Sequence, residues 1–157
     1  MVLSYLDQGE KTMRYGSLSQ ALNYEKIEDW VQDFLRNDGD NLVLADGLLK
    51  EERNYIGPVQ FEVSKIDIEK GAPSYLTKPN DIEWFFQVVD QMKESYSNWD
   101  MPPLIVNYTN GHYEVNDGRH RLEMLRQLGG KYTMIVFWTT GEKDYEELNK
   151  FLNKIDK

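Results

Sequence analysis

Tyr113-Glu-Val-Asn-Asp117-Gly118-Arg119-His120-Arg121-Leu-Glu123-Met-Leu-Arg126-Gln-Leu-Gly129 is the most informative stretch of this chain. It reads as a strand, a tight Asp117-Gly118 turn and a helix that starts near Arg119. Leu122, Leu125 and Leu128 recur at helical spacing, and Gly129-Gly130 can close the helix in a left-handed conformation. Arg119, His120 and Arg121 therefore crowd the first helical turn, where the helix dipole favours acids. Three basic residues there read as a site for an anion. Unpaired backbone N–H groups would meet the anion, and Gly118 would let a phosphate come close to the backbone. The competing reading is that Arg121 and Arg126 only pair with Asp117 or Glu123.

Outward from this stretch, Asn110-Gly111 predicts a hairpin between strands Leu104–Tyr108 and His112–Asn116, because both turn residues tolerate positive φ. Pro102-Pro103 marks where pairing begins. Further strands are expected at Asn41–Ala45, Val59–Ile66 and Thr133–Thr139. Helical periodicity covers about Asn23 to Arg36 (Tyr24, Ile27, Val31, Phe34) and Asp81 to Ser97 (Ile82, Phe85, Phe86, Val89, Met92). Asn80 and Glu83 suggest a capping box for the second of these. A last helix is expected over about Asp144 to Lys154, with Tyr145, Leu148, Leu152 and Ile155 inward. Residues 1–58 read as an N-terminal extension packed on the core, punctuated by Gly57-Pro58, and 59–157 as the main domain.

The chain has 157 residues, a formal net charge of −9 and no cysteine. Its length suits one domain. Disulfides, zinc–thiolate sites and cysteine nucleophiles are excluded. The acidic balance opposes broad binding to phosphate backbones, so direct DNA binding is not expected. A local basic cluster in such a chain favours a small phosphate-bearing ligand over a polyanion. The start lacks the pattern of a signal peptide and no apolar run approaches a membrane span, so a cytoplasmic protein without membrane contact is expected. No P-loop or Rossmann spacing occurs.

The same residues resemble the ParB/sulfiredoxin superfamily. Pro102-Pro103-Leu-Ile-Val, then Gly111 to Gly129, then Thr133-Met-Ile-Val-Phe follow that family's order of strand, Gly-x-His-Arg turn, helix and strand. The resemblance covers about residues 59–139. It implies an α+β fold, a small mixed sheet with packed helices. It also implies a nucleoside triphosphate or diphosphate held with Mg²⁺ at the turn. Carried over by position, Gly118, His120 and Arg121 match the phosphate motif and Asp117 matches the acid before it.

The departures bear on function. Arg119 stands where sulfiredoxin has its catalytic cysteine, so that activity is excluded on chemistry. ParB's DNA-binding and dimerisation domains would need more chain than the 18 residues after Thr139.

The expectation is a nucleotide-binding protein acting as an NTPase or small-molecule phosphotransferase. In it Gly118, Arg119, His120 and Arg121 bind phosphates, His120, Arg121 and Asp117 assist the chemistry, and no protein metal cluster is assigned. The alternative is a non-catalytic ParB-like module serving a protein partner or partition machinery. Glu62, Asp67 and Glu69 are candidates for a general base, and Tyr75, Trp84 and Trp99 for base stacking. His112 reads as a strand histidine.

Overall fold

The computed structural model describes residues 16–67 and 71–155. Three short helices come first: α1 (Leu18–Asn23), α2 (Ile27–Asn37) and α3 (Leu42–Leu48). They are followed by β1 (Asn54–Glu62), α4 (Pro79–Ser95), β2 (Leu104–Thr109) and β3 (His112–Asp117). The chain then forms α5 (Arg119–Gln127), β4 (Tyr132–Thr139) and α6 (Glu142–Ile155). The strands make one mixed sheet in the order β1-β4-β2-β3. β4 runs antiparallel to β1 and parallel to β2, and β2 and β3 form an antiparallel hairpin. The fold is α+β, with helices on both faces of the sheet.

Two-sided burial explains the apolar runs of the central strands. Leu104, Val106, Ile135 and Phe137 face the layer of α4, α5 and α6, against Phe85, Val89, Leu125 and Leu148. Ile105 and Val136 face the other way, against Trp30, Val31, Phe34 and Leu35 of α2. Successive strand residues thus serve opposite cores, as the two-residue period requires. Trp30 and Phe34 stack with ring centroids 4.9 Å apart.

The hairpin turn is as expected, with Asn110 at φ 46° and Gly111 at φ 85°. Several other expectations are corrected. Asn41–Ala45 is not a strand: the Asn41 side chain accepts a hydrogen bond from Leu44 N at 3.2 Å, and the run continues as α3. An apolar run of this length carries no period that separates helix from strand. The first sheet strand begins at Asn54 and ends at Glu62, where Val63–Lys65 turns into a 3₁₀ helix. Gly57-Pro58 lies within β1, where the register against β4 shifts. Proline is tolerated because β1 is an edge strand. The boundary expected after Pro58 thus falls inside a strand. α2 starts at Ile27, and Asn23 instead ends α1, whose cap is Ser17 accepting from Gln20 N. Pro79 takes the first position of α4, which has no side-chain cap, so the Asn80–Glu83 box does not form. In α6, Leu148 and Leu152 are buried and Tyr145 is half-buried. Residues 1–15, Glu69 and the Ile155 side chain lie outside what is described.

Because Ile105 and Val136 join the α2 cluster to the sheet, Trp30→Ala should destabilise the whole molecule. We expect a loss of about 3–5 kcal/mol, in one unfolding transition seen alike by far-UV circular dichroism and tryptophan fluorescence. Two separate transitions would mark α1–α3 as an independent unit.

Candidate functional site

The Asp117–Arg121 turn is built on Gly118, the N-cap of α5, at φ 115°. A Cβ there would lie 2.5 Å from Leu104 Cδ2 and 3.1 Å from Arg121 Nη2. Glycine is therefore required by both backbone and space. It supplies no side-chain cap, and the first turn of α5 carries no acid. That helix end keeps its partial positive charge.

Arg121 does not face outward from this turn. Its side chain is 3% exposed and sits in a ring of acceptors. Nη1 donates to the carbonyls of Pro102 at 2.6 Å and Pro103 at 3.1 Å, and Nη2 donates to Asp117 Oδ2 at 2.8 Å. The guanidinium also lies 5.6 Å from the centre of the Phe34 ring. Asp117 Oδ1 accepts from Asn41 Nδ2 at 3.4 Å. Burial pushes the Asp117 carboxyl above its ordinary range, opposed by Arg121 and Asn41. Arg121, expected on the phosphates, and Asp117, expected in the chemistry, are thus engaged with each other. Together they form an interior ion pair that fixes the turn.

Arg126 has the same fate on the other side of α5. It pairs with Glu123, whose side chain is fully buried and also accepts from Gln127 and from the Gly71 amide. Burial opposes the Glu123 charge, but these hydrogen bonds outweigh it and hold the carboxyl below its usual range. The pairing alternative read from the sequence is thus realised for both arginines, in the interior for Arg121 and, for Arg126, from an exposed guanidinium onto a buried carboxylate.

His120 leans on Phe85 of α4, with ring centroids 4.4 Å apart. Burial, with Arg121 and Arg119 nearby, lowers its pKa to about 4. The imidazole is neutral at pH 7 and adds no positive charge to the turn. It is also a weak base for proton abstraction at that pH.

Arg119 remains. Nη2 donates to the Gly71 carbonyl at 2.9 Å, and the guanidinium lies 5.8 Å from the Phe85 ring centre. Gly71 is held twice, through its carbonyl by Arg119 and through its amide by Glu123. This fastens the loop before α4 across the N-terminal end of α5.

A groove of about 650 Å³ runs between that loop and β3, lined by Asp67, Pro73, Tyr75, Glu114, Asn116 and Arg119 among others. Tyr75 is 79% exposed. Asp67 bridges to Glu114 in parallel, and its Oδ2 accepts from Tyr113 N at 2.7 Å. His112 Nδ1 lies 3.4 Å from the same oxygen, on an exposed side chain. Asn116 Oδ1 accepts from Trp138 Nε1 at 2.8 Å, and its Nδ2 donates to Glu114 Oε1 at 3.3 Å.

The structure thus brings Arg119, Asp67 and Tyr75 to one groove, with Gly118 next to Arg119 in the chain. Trp84 and Trp99 pack against the core, and Glu62 accepts from Ser64 beside β1. Glu114 and Asn116 were not singled out in the sequence. Their one signal was alternation with Tyr113 and Val115, which places them on the same strand face.

Among the described residues, no three potential metal-ligating side chains converge, and no helix is long and apolar enough to cross a membrane. No family model matches the chain, and no curated protein matches it.

Two outcomes test this assignment of roles. Arg121→Ala should cost about 3–5 kcal/mol, because it leaves Asp117 buried without its cation. Asp117→Asn in the same background should recover part of that loss in denaturant titrations. The second concerns pH. Unfolded, His120 titrates near 6.5, and folded near 4. Between these values the unfolded chain binds the extra proton. Stability should therefore rise with pH across that window and fall on acidification, by no more than about 2 kcal/mol after solvent screening. His120→Gln should flatten this dependence.

Proposed function

We propose that this protein binds a nucleotide, with the phosphates at Arg119 and the N-terminus of α5 and the base along β3 toward Tyr75. The observation that carries the reading is one juxtaposition. An uncapped helix end on a positive-φ glycine stands beside an arginine that lines a groove with an exposed aromatic ring. Backbone N–H groups and a guanidinium are the donors that phosphate oxygens require. An exposed phenol ring lining the same groove suits base stacking. The local Gly118-x-His120-Arg121 likeness to the ParB/sulfiredoxin superfamily supports the same ligand class.

The donor set at the turn does not suit directly ligated Mg²⁺. Asp117 is the carboxylate of that turn, and Arg121 and Asn41 engage both its oxygens. Counter-charge for the phosphates then comes from Arg119 and the helix end.

The same facts favour binding over turnover. Arg121 is buried, Asp117 is committed to it and to Asn41, and His120 is neutral and weakly basic. A switch or interaction module that answers to a nucleotide fits these residues better than a phosphotransferase.

Thermal melts with ATP, ADP, CTP, GTP and UTP, with Mg²⁺ and with chelator, test the reading. A ligand at about 100 times its dissociation constant should stabilise the fold by about 2.7 kcal/mol. We expect the response to survive chelation, to disappear in Arg119→Ala and to be partly restored in Arg119→Lys. Phosphate release should stay at background. No response from any nucleotide would sink the reading, and steady phosphate release would replace the switch with an NTPase.

A further inference from the structure

We propose that the loop from Gly71 to Leu76 is a strap that Arg119 fastens to α5 and that a phosphate at Arg119 unfastens; this rests on the nucleotide reading above. Gly71 is the point of attachment. Its carbonyl accepts from Arg119 Nη2 at 2.9 Å, and its amide donates to Glu123 Oε1 at 3.1 Å. Arg119 and Glu123 are four residues apart and share one face of α5. One helix face thus grips both polar groups of a single peptide residue, and the two grips are unequal.

Glu123 is the fixed one. Its side chain is fully buried, and Arg126 and Gln127 hold it as well. Arg119 instead lines the groove, and its bond to Gly71 sets a full charge against a neutral carbonyl. A phosphate oxygen is itself charged and makes the stronger partner. Both two-toothed faces of a guanidinium include Nη2, with Nε on one and with Nη1 on the other. Here Nη1 is closed off from solvent. A phosphate taken in such a grip therefore engages the nitrogen that holds Gly71.

The strap has few apolar contacts. Pro73 is buried, Ala72 and Leu76 lie partly buried against the core, and Tyr75 is 79% exposed. Leu76 N donates to the Pro73 carbonyl at 3.0 Å, which keeps the strap folded on itself. Segments with so little buried apolar surface open at low free energy. Gly71, at φ 81°, has no β-carbon to hinder rotation about the Glu123 bond. Released at its carbonyl, the strap pivots on the amide that Glu123 retains. Tyr75 then closes on the base of the bound nucleotide, and the fastening passes from Arg119 to the ligand.

The test is nicking by chymotrypsin after Tyr75 in the full chain, read from the masses of the fragments. Arg119→Ala without ligand should be nicked about tenfold faster than the unaltered chain, the effect of losing one hydrogen bond to a charged donor. Arg119→Lys should lie between them. Tripolyphosphate supplies phosphates without a base. It should speed nicking of the unaltered chain by a similar factor and leave Arg119→Ala unchanged. A nucleotide that stabilises the fold should slow nicking below the rate with tripolyphosphate. Cleavage after the buried Phe137 reports global unfolding and should not change. The strap is overturned if Arg119→Ala is nicked at the unaltered rate, if both sites speed up together, or if tripolyphosphate brings no acceleration. It is overturned too if a bound nucleotide leaves nicking as fast as tripolyphosphate does. In each of these cases a nucleotide that still shifts the melt leaves the binding reading standing. A chain that no nucleotide stabilises overturns both.

Discussion

The turn between β3 and α5 depends on the buried guanidinium of Arg121. A charge removed from water is costly unless every face of it is answered. Here it is answered by the Asp117 carboxylate, by two carbonyls just ahead of β2 and by the face of Phe34. Those partners come from the hairpin, from the strand entry and from α2. One side chain therefore ties the turn to both the sheet and the opposite helical layer. Pro102 and Pro103 suit this use: neither has an N–H, and their carbonyls are free to converge on one donor. The tight approach of Arg121 to Gly118 is part of the same knot, since a β-carbon would intrude on the guanidinium.

Charge is sorted around α5 with little waste. Residues Arg121 to Leu125 are all buried, an unusual run for a helix with this many ionisable groups. Arg121 and Arg126 are each spent on a carboxylate, and His120 is kept neutral against Phe85. Only after these commitments does the basic cluster reduce to Arg119, held against Gly71 at the groove wall. The positive character left at this turn is thus the Arg119 guanidinium, itself bonded to the Gly71 carbonyl, and the end of α5.

Much of this was legible in the chain. The hairpin, α4, α5, β4 and α6 follow from turn chemistry and from periodicity, because those elements have clear faces. The α1–α3 layer was harder. Trp30 and Leu35 extend the buried face of α2 beyond the stripe of Tyr24, Ile27, Val31 and Phe34. Residues 42–48 form too short an apolar run to declare a period. At the site, the sequence located the turn and the need for Gly118, and it also contained the pairing alternative. It could not say which arginine faces in, since a one-residue step rotates a helical side chain by about 100°. The bond from Trp138 to Asn116 joins residues 22 apart in the chain and has no local signal in the sequence.

The placing of β4 governs the order in which the sheet can be assembled. It lies between β1 and β2, although it follows both in the chain. During synthesis, β1 and the β2–β3 hairpin emerge with no strand to join them. Each then presents an open edge until residues 132–139 arrive. Strand edges held open in this way are where chains pair with the wrong partner. The register shift between Ile56 and Val59 interrupts one of those edges. The irregularity that obscured this strand in the sequence thus also makes it a poor template for another molecule while it waits.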